Sequence, residues 1–358
     1  MMSVPVARIA AVTAILCGGI AVALAAPRNA PVNPLRVGMF AGDGAVEVIV
    51  TNTSNKVARV PKWQLPSGEL QANLFRVSRD GQPVAYEGML AKRGLPGPSD
   101  FAILRPGQSY RTVVDLGEFY ALDKAGQYTV TLSSPLQHAS MSDGRMLRTS
   151  RGLPMLLQSA PLQVWNSAAR AGHKKPGSGG GGSTTVVNGV TFASCSSTQI
   201  NQSGQAVVDA RGYTQNARNY LAGGTVGARY TTWFGSYTSS RYNTASSHFV
   251  AIDNAMDQSG GQVKINCGCN GSEYAHVYAN RPYEIFVCRA FWPAPAKGTD
   301  SKAGTLIHEM SHFDVVAGTN DWVYGQSAAK NLAATNPTNA LDNADNHEYF
   351  AENNPSQN

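Results

Sequence analysis

In the first half of the chain short β-type runs stand at residues 45–50, 74–77, 110–114 and 127–132, the last alternating polar and apolar residues. A period of two buries one face of a strand and leaves the other wet. Turn signals, Asp80-Gly81, Pro106-Gly107 and Ala125-Gly126, separate the runs. Several short strands at this spacing predict an all-β unit, an immunoglobulin-like sandwich. The pattern breaks at residues 172–183, where glycine, serine, lysine and proline leave nothing to pack. Beyond that point the period lengthens. Residues 203–221 and 242–256 carry helix-like apolar spacing, residues 262–265, 275–278 and 285–287 read as short strands, and from Thr305 onward the chain is mainly helical. No internal repeat is evident. The expectation is an α+β chain: an all-β front domain (27–171), a flexible linker (172–189) and a mainly helical rear domain (190–358).

A length of 358 residues suits two domains. The first eight residues hold one positive charge, residues 9–24 are almost free of polar side chains, and Ala23-Leu24-Ala25-Ala26-Pro27 is a small-residue cleavage pattern. This predicts a signal peptide over 1–26 and a secreted, extracellular protein. The apolar run is short for a bilayer span and no second run of spanning length follows, so no stable membrane association is expected. Besides Cys17 in that run, the cysteines are Cys195, Cys267, Cys269 and Cys288. Four in an exported chain predict two disulfides, with three pairings open. A thiolate metal site is the weaker reading, because Cys267-Gly268-Cys269 lacks the spacing of zinc-binding pairs. The net charge of +6 is uneven: residues 1–175 carry 19 Lys+Arg against 10 Asp+Glu, and residues 176–358 carry 10 against 13. Basic residues scattered through strands, not clustered among aromatics, argue against a nucleic-acid partner. A basic front and an acidic rear suit contact with one another.

The chemistry concentrates at residues 304–313, which contain His308-Glu309-Met310-Ser311-His312 inside a plausible helix. Residues four apart share a helix face, so both imidazoles can reach one zinc ion. Glu309 then lies beside the metal without ligating it, placed to take a proton from an activated water and pass it to a leaving amine. The competing reading is a helix with two surface histidines. A catalytic zinc needs a third protein ligand and an open position. Downstream, Gly318-Thr319-Asn320-Asp321-Trp322-Val323-Tyr324-Gly325 offers Asp321 after a glycine-assisted turn. Two histidines, one carboxylate and an open position fit zinc best.

With these residues in place, the rear half closely resembles the aspzincin metallopeptidases, the family of the deuterolysins and the peptidyl-Lys metalloendopeptidases. The resemblance runs over residues 190–358 and includes Tyr230-Thr231-Thr232-Trp233-Phe234-Gly235-Ser236-Tyr237, Phe291-Trp292-Pro293-Ala294-Pro295 and Asn343-Ala344-Asp345-Asn346-His347-Glu348-Tyr349-Phe350. It implies a zincin-like catalytic domain with one zinc ion, held by His308, His312 and Asp321. It further implies Glu309 as general base, Tyr324 as oxyanion donor, and disulfides Cys195–Cys267 and Cys269–Cys288. Phe291 and Trp292 read as core.

Asp345 and Glu348 are three apart on a predicted helix, so both carboxylates can face one pocket. An unplaced pair of this kind is a solvated helix face. In the peptidyl-Lys branch the matching pair lines the pocket for the residue after the cleaved bond, which implies cleavage on the amino side of lysine. The substrates would be lysine-containing proteins or peptides. The front domain becomes a propeptide that assists folding or covers the cleft, so the chain is read as a zymogen, with its own propeptide as partner and a monomer as default. Lys174 and Lys175 in the linker are natural self-processing sites. Two rivals remain: a deuterolysin-like neutral endopeptidase of broad specificity, and a catalytically silent secreted binding protein.

Overall fold

The computed structural model describes residues 31–167 and 183–358. The expected signal peptide, and Lys174 and Lys175 in the linker, lie outside the described residues. The front half is built of strands: β1 (Leu35–Ala41), β2 (Ala45–Asn52), β3 (Ala58–Pro61), β4 (Phe75–Arg79), β5 (Gln82–Pro83) and β6 (Met89–Lys92). There follow β7 (Phe101–Leu104), β8 (Ser109–Asp115), β9 (Gly126–Pro135), β10 (Ser140–Met141), β11 (Leu156–Gln158) and β12 (Leu162–Asn166). They pair antiparallel in the orders β1-β2-β8, β10-β3-β7 and β11-β9-β4-β5, with β12 also on β9. Strand β2 gives the physical reason: Val46, Val48 and Val50 are fully buried and the residues between them are not. The four β-type runs coincide with or overlap β2, β4, β8 and β9.

The rear half contains β13 (Thr184–Val187), β14 (Val190–Ala193), α1 (Ser197–Ala222), α2 (Ala228–Phe234), α3 (Ser239–Met256), β15 (Lys264–Asn266), β16 (Ala275–Tyr278) and β17 (Glu284–Val287). Four helices close the chain: α4 (Lys302–His312), α5 (Gln326–Thr335), α6 (Pro337–Leu341) and α7 (Ala344–Glu352). Strand β13 starts inside the span expected to be linker. Its Thr-Thr-Val-Val run is β-branched and pairs antiparallel with β14, so the Gly/Ser character ends by Ser183. The cysteines pair as Cys195–Cys267 and Cys269–Cys288, tying the start of α1 and the end of β17 to the segment after β15. Phe291 is fully buried, as core.

Two features position the site. Every residue of α4 and of α7 is buried, so these helices form the centre of the rear half. Ser301 caps α4, its side chain accepting from the Gly304 amide. The second feature is the rear sheet, whose order is β13-β14-β15-β17-β16-β6. Its last strand comes from the front half: β6 pairs antiparallel with β16, setting Lys92 opposite Ala275 and Ala91 opposite His276. The front half thus extends the rear sheet at the edge beside α4.

Candidate active site

His308, Glu309 and His312 lie on α4 and are fully buried, the two imidazole rings 4.9 Å apart between centroids. After α4, Gly318 adopts φ 59°, the left-handed region open to glycine, and the chain returns to present Asp321. The Asp321 carboxylate lies 3.2 Å from His308 Nε2 and 3.5 Å from His312 Nε2. Asn343 clamps this return: its Oδ1 accepts from the amides of Trp322 (2.8 Å) and Val323 (3.1 Å). Each imidazole is oriented from behind. His312 Nδ1 sits 2.7 Å from the Thr319 carbonyl, and His308 Nδ1 sits 2.8 Å from Asp345 Oδ1. These contacts turn the Nε2 atoms of both rings toward Asp321.

The donors fit a metal ion. His308 Nε2, His312 Nε2, Asp321 Oδ1 and Glu309 Oε2 are buried without a hydrogen-bond partner among the described residues. Buried polar atoms in proteins are mostly paired, and one ligand atom each of His308, His312 and Asp321 lies within 4.8 Å of the others, as a cation site of two imidazoles and a carboxylate requires. Burial works against ionisation of Asp321, yet the two imidazoles hold its carboxyl well below the usual range. Burial pushes the Glu309 carboxyl up, toward the range of a useful base.

The front half of the chain places a peptide bond at this cluster. The Ala91 amide donates to Asp321 Oδ2 (3.1 Å), the Lys92 amide donates to Glu309 Oε1 (2.9 Å), and Tyr324 Oη donates to the Ala91 carbonyl (2.9 Å). Tyr324 is itself fixed by Gln137 of the front domain, which accepts from its amide (2.7 Å) and donates to its carbonyl (2.6 Å). Burial, then Asp321, keep the Tyr324 phenol well above its ordinary pKa, so it holds its proton for donation.

The Lys92 side chain runs into a closed acidic pocket. Its Nζ lies 2.6 Å from Glu348 Oε2, 2.9 Å from Asp300 Oδ1 and 3.5 Å from Asp345 Oδ1. The rings of Tyr274 and Tyr349 stand 5.5 and 5.4 Å from the ammonium, within cation–π range. Burial alone would lower an ammonium's pKa, but Asp345 and Glu348 outweigh it and hold Lys92 well above its ordinary value.

The structure therefore brings together His308, Glu309, His312, Asp321, Tyr324, Asp345 and Glu348. Asp345 touches both the pocket cation and His308, a link that spacing along α7 does not reveal. Sequence reasoning missed Asp300, Asn343, Gln137 and, above all, Lys92. Lys92 stands alone in a short strand run with no motif around it, and an isolated lysine in a strand gives no signal of its own. Asp300 likewise sits in an ordinary loop just ahead of the Ser301 cap.

These groups define a metallopeptidase, and comparison with known proteins agrees. The family model described as lysine-specific metallo-endopeptidase, aspzincin M35, matches residues 219–352. An extracellular protease of Aeromonas hydrophila is 41% identical over 320 residues, 88% of this chain and 90% of that one. A peptidyl-Lys metalloendopeptidase of Grifola frondosa is 34% identical over 328 residues, 87% of this chain and 88% of that one. A solved zinc peptidase from Grifola frondosa is 44% identical, covers 46% of this chain and 100% of its own, and has a TM-score of 0.44. The chain belongs to the aspzincin family and is a zinc peptidase.

Proposed function

We propose that this chain is the secreted zymogen of a zinc endopeptidase that hydrolyses peptide bonds on the amino side of lysine. The observation that carries the reading is Lys92: a lysine of the chain itself fills the Asp345/Glu348 pocket while the bond before it lies against Glu309 and Tyr324. The names of the two relatives, extracellular protease and peptidyl-Lys metalloendopeptidase, support secretion and the lysine preference.

In this reading His308, His312 and Asp321 hold one zinc ion, which supplies Lewis acidity for amide hydrolysis. A substrate lies as an antiparallel strand on the edge of β16, as β6 does. Its lysine ammonium enters between Asp345, Glu348 and Asp300. Glu309 takes a proton from the attacking water and returns it to the nitrogen that becomes the new amine. Tyr324 Oη donates to the carbonyl oxygen as it gains charge, a contact whose loss costs about a hundredfold or more in rate. The front domain (27–171) is the propeptide. Alternating burial on β2 and β9 supports a β-sandwich, which we assign to the immunoglobulin-like type. It blocks the cleft, and maturation includes a cut at Lys174 or Lys175 in the linker ahead of β13. The substrates are lysine-containing proteins and peptides, and the enzyme works as a monomer, with no nucleic acid and no stable membrane contact. Among the described residues no helix is long and apolar enough to cross a membrane.

A casein digest read by mass spectrometry tests this. The expected products begin with lysine, vanish with a chelator, and are absent for Glu309→Gln, which accumulates uncut precursor. Products with unselected N-termini would replace the lysine reading by a neutral endopeptidase of broad specificity.

A further inference from the structure

The described residues offer several features beyond the reacting groups. A cavity of about 210 Å³ beside Trp322 and Tyr324 is walled by both halves of the chain. The cluster of Cys269, Glu273, His276 and Cys288 has its thiols spent in a disulfide. The half-buried His248 and the buried His347 pair with one another, 2.9 Å apart. None of these faces a ligand of evident chemistry. The segment Met89–Lys92 does, because it already occupies the site in a particular register.

We propose that the first bond this peptidase hydrolyses in its own precursor is Ala91–Lys92, inside the front domain, and that the nicked front domain stays seated. The inference rests on the zinc endopeptidase reading above. Both sides of the bond are gripped by groups suited to break it: the Ala91 carbonyl accepts from Tyr324 Oη at 2.9 Å, and the Lys92 nitrogen lies 2.9 Å from Glu309 Oε1. The backbone is held in line from both directions, by the Ala91 amide on Asp321 and by the Tyr274 amide donating to the Lys92 carbonyl at 3.0 Å. One water is consumed. Its oxygen bonds to the Ala91 carbonyl carbon, the bond from that carbon to the Lys92 nitrogen breaks, and Glu309 carries both of the water's protons in turn to that nitrogen. The products are a carboxylate on Ala91 and an α-ammonium on Lys92.

The order of cuts follows from occupancy. While β6 lies along β16, no linker lysine of the same molecule can enter the pocket, because Lys92 fills it. A linker cut within the same chain has to wait until β6 leaves, whereas Ala91–Lys92 needs no movement.

The new ends are anchored on both sides of the break. Leu90 is buried, and Met89 pairs with Tyr278. Arg93 donates to the Gln71 carbonyl at 3.0 Å, lies 3.9 Å from Glu273 and stands over the Trp63 ring at 4.8 Å. A short peptide product has no such ties and diffuses away. The nicked domain keeps its hold, and the Lys92 amine stays within reach of the Ala91 carboxylate.

The test uses the full precursor, wild type and Glu309→Gln, incubated with zinc and sampled over time by denaturing mass spectrometry. Wild type is expected to yield a fragment beginning at Lys92 before any beginning at Lys174 or Lys175. Its rate should not depend on protein concentration, and on native gel filtration its two pieces should co-elute. Glu309→Gln and a chelated sample should stay whole. Lys92→Met should slow the 91–92 cut at least about tenfold, while added active enzyme cuts it at the linker and leaves its other lysines intact, as a folded variant requires. A linker product appearing while Ala91–Lys92 is intact would overturn the proposal. So would a 91–92 cut whose rate rises with concentration, or pieces that separate at once. An enzyme that digests casein without lysine preference would instead count against the underlying reading.

Discussion

Glu352 lies one helical turn past Glu348 on α7, its Oε1 accepting from the amide (2.9 Å) and hydroxyl (2.7 Å) of Ser301. Burial, with the Glu348 charge added, pushes its pKa from 4.5 up to about 9. Between those values the folded chain holds a proton that the unfolded chain has released, so this residue makes stability fall as pH rises through that window. Below about pH 4.5 both states are protonated and the effect is gone. Glu352→Gln keeps the acceptor facing Ser301 and removes the titration. It is expected to melt a few degrees above the native protein at pH 8, the gap closing by about pH 4. A gap that is constant across pH, in calorimetry at both values, would contradict this. Single residues also carry double duties that no local pattern announces: Asp345 faces the Lys92 ammonium on one side and His308 Nδ1 on the other.

At the scale of elements, α4 and α7 meet where Gly304 passes the carboxylates of α7. A Cβ at Gly304 would stand 2.1 Å from Glu352 Oε1 and 2.9 Å from Glu348 Oε1, so a larger residue forces both acids to move. Gly304→Ala is expected to cost about 1–3 kcal/mol of stability. It should also raise KM for a lysine peptide more than it lowers kcat, because the displaced Glu348 binds the ammonium and leaves Glu309 in place. An unchanged KM would show that the acids relax without cost. How much could be read beforehand differs by element. The i, i+4 spacing of His308 and His312 made the metal face of α4 legible, and the strands of period two were legible because one face of each is buried. The Asp321 loop was legible as a ligand but not as a shape, since its geometry depends on Asn343 reaching back from the next helix.

Across the whole molecule the front and rear halves share one sheet, and the contact is centred on a buried cation. Lys92 is 1% exposed and faces two fully buried carboxylates. Removing one partner from a buried ion pair leaves uncompensated charge, at about 3–5 kcal/mol. In a Glu309→Gln background, where no cut occurs, Lys92→Met should therefore lower the precursor's melting temperature by several degrees. An unchanged melting temperature would mean that Lys92 is not seated in the pocket in solution.

By itself the sequence determined what is local: the helix face with two imidazoles and a base, the glycine turn before Asp321, the alternation that makes the front half all-β, and four cysteines in the rear. It also placed Asp345 and Glu348 on one side of a helix. Tertiary structure alone decided which lysine meets those acids, because Lys92 and Asp345 lie 253 positions apart and only the pairing of β6 with β16 joins them. It likewise decided that Asp300, 208 positions from Lys92, completes the cation's shell. Periodicity reports the face a residue turns toward, since that is fixed by the backbone's own geometry. It carries no information on what arrives at that face from elsewhere in the chain, which is fixed by packing.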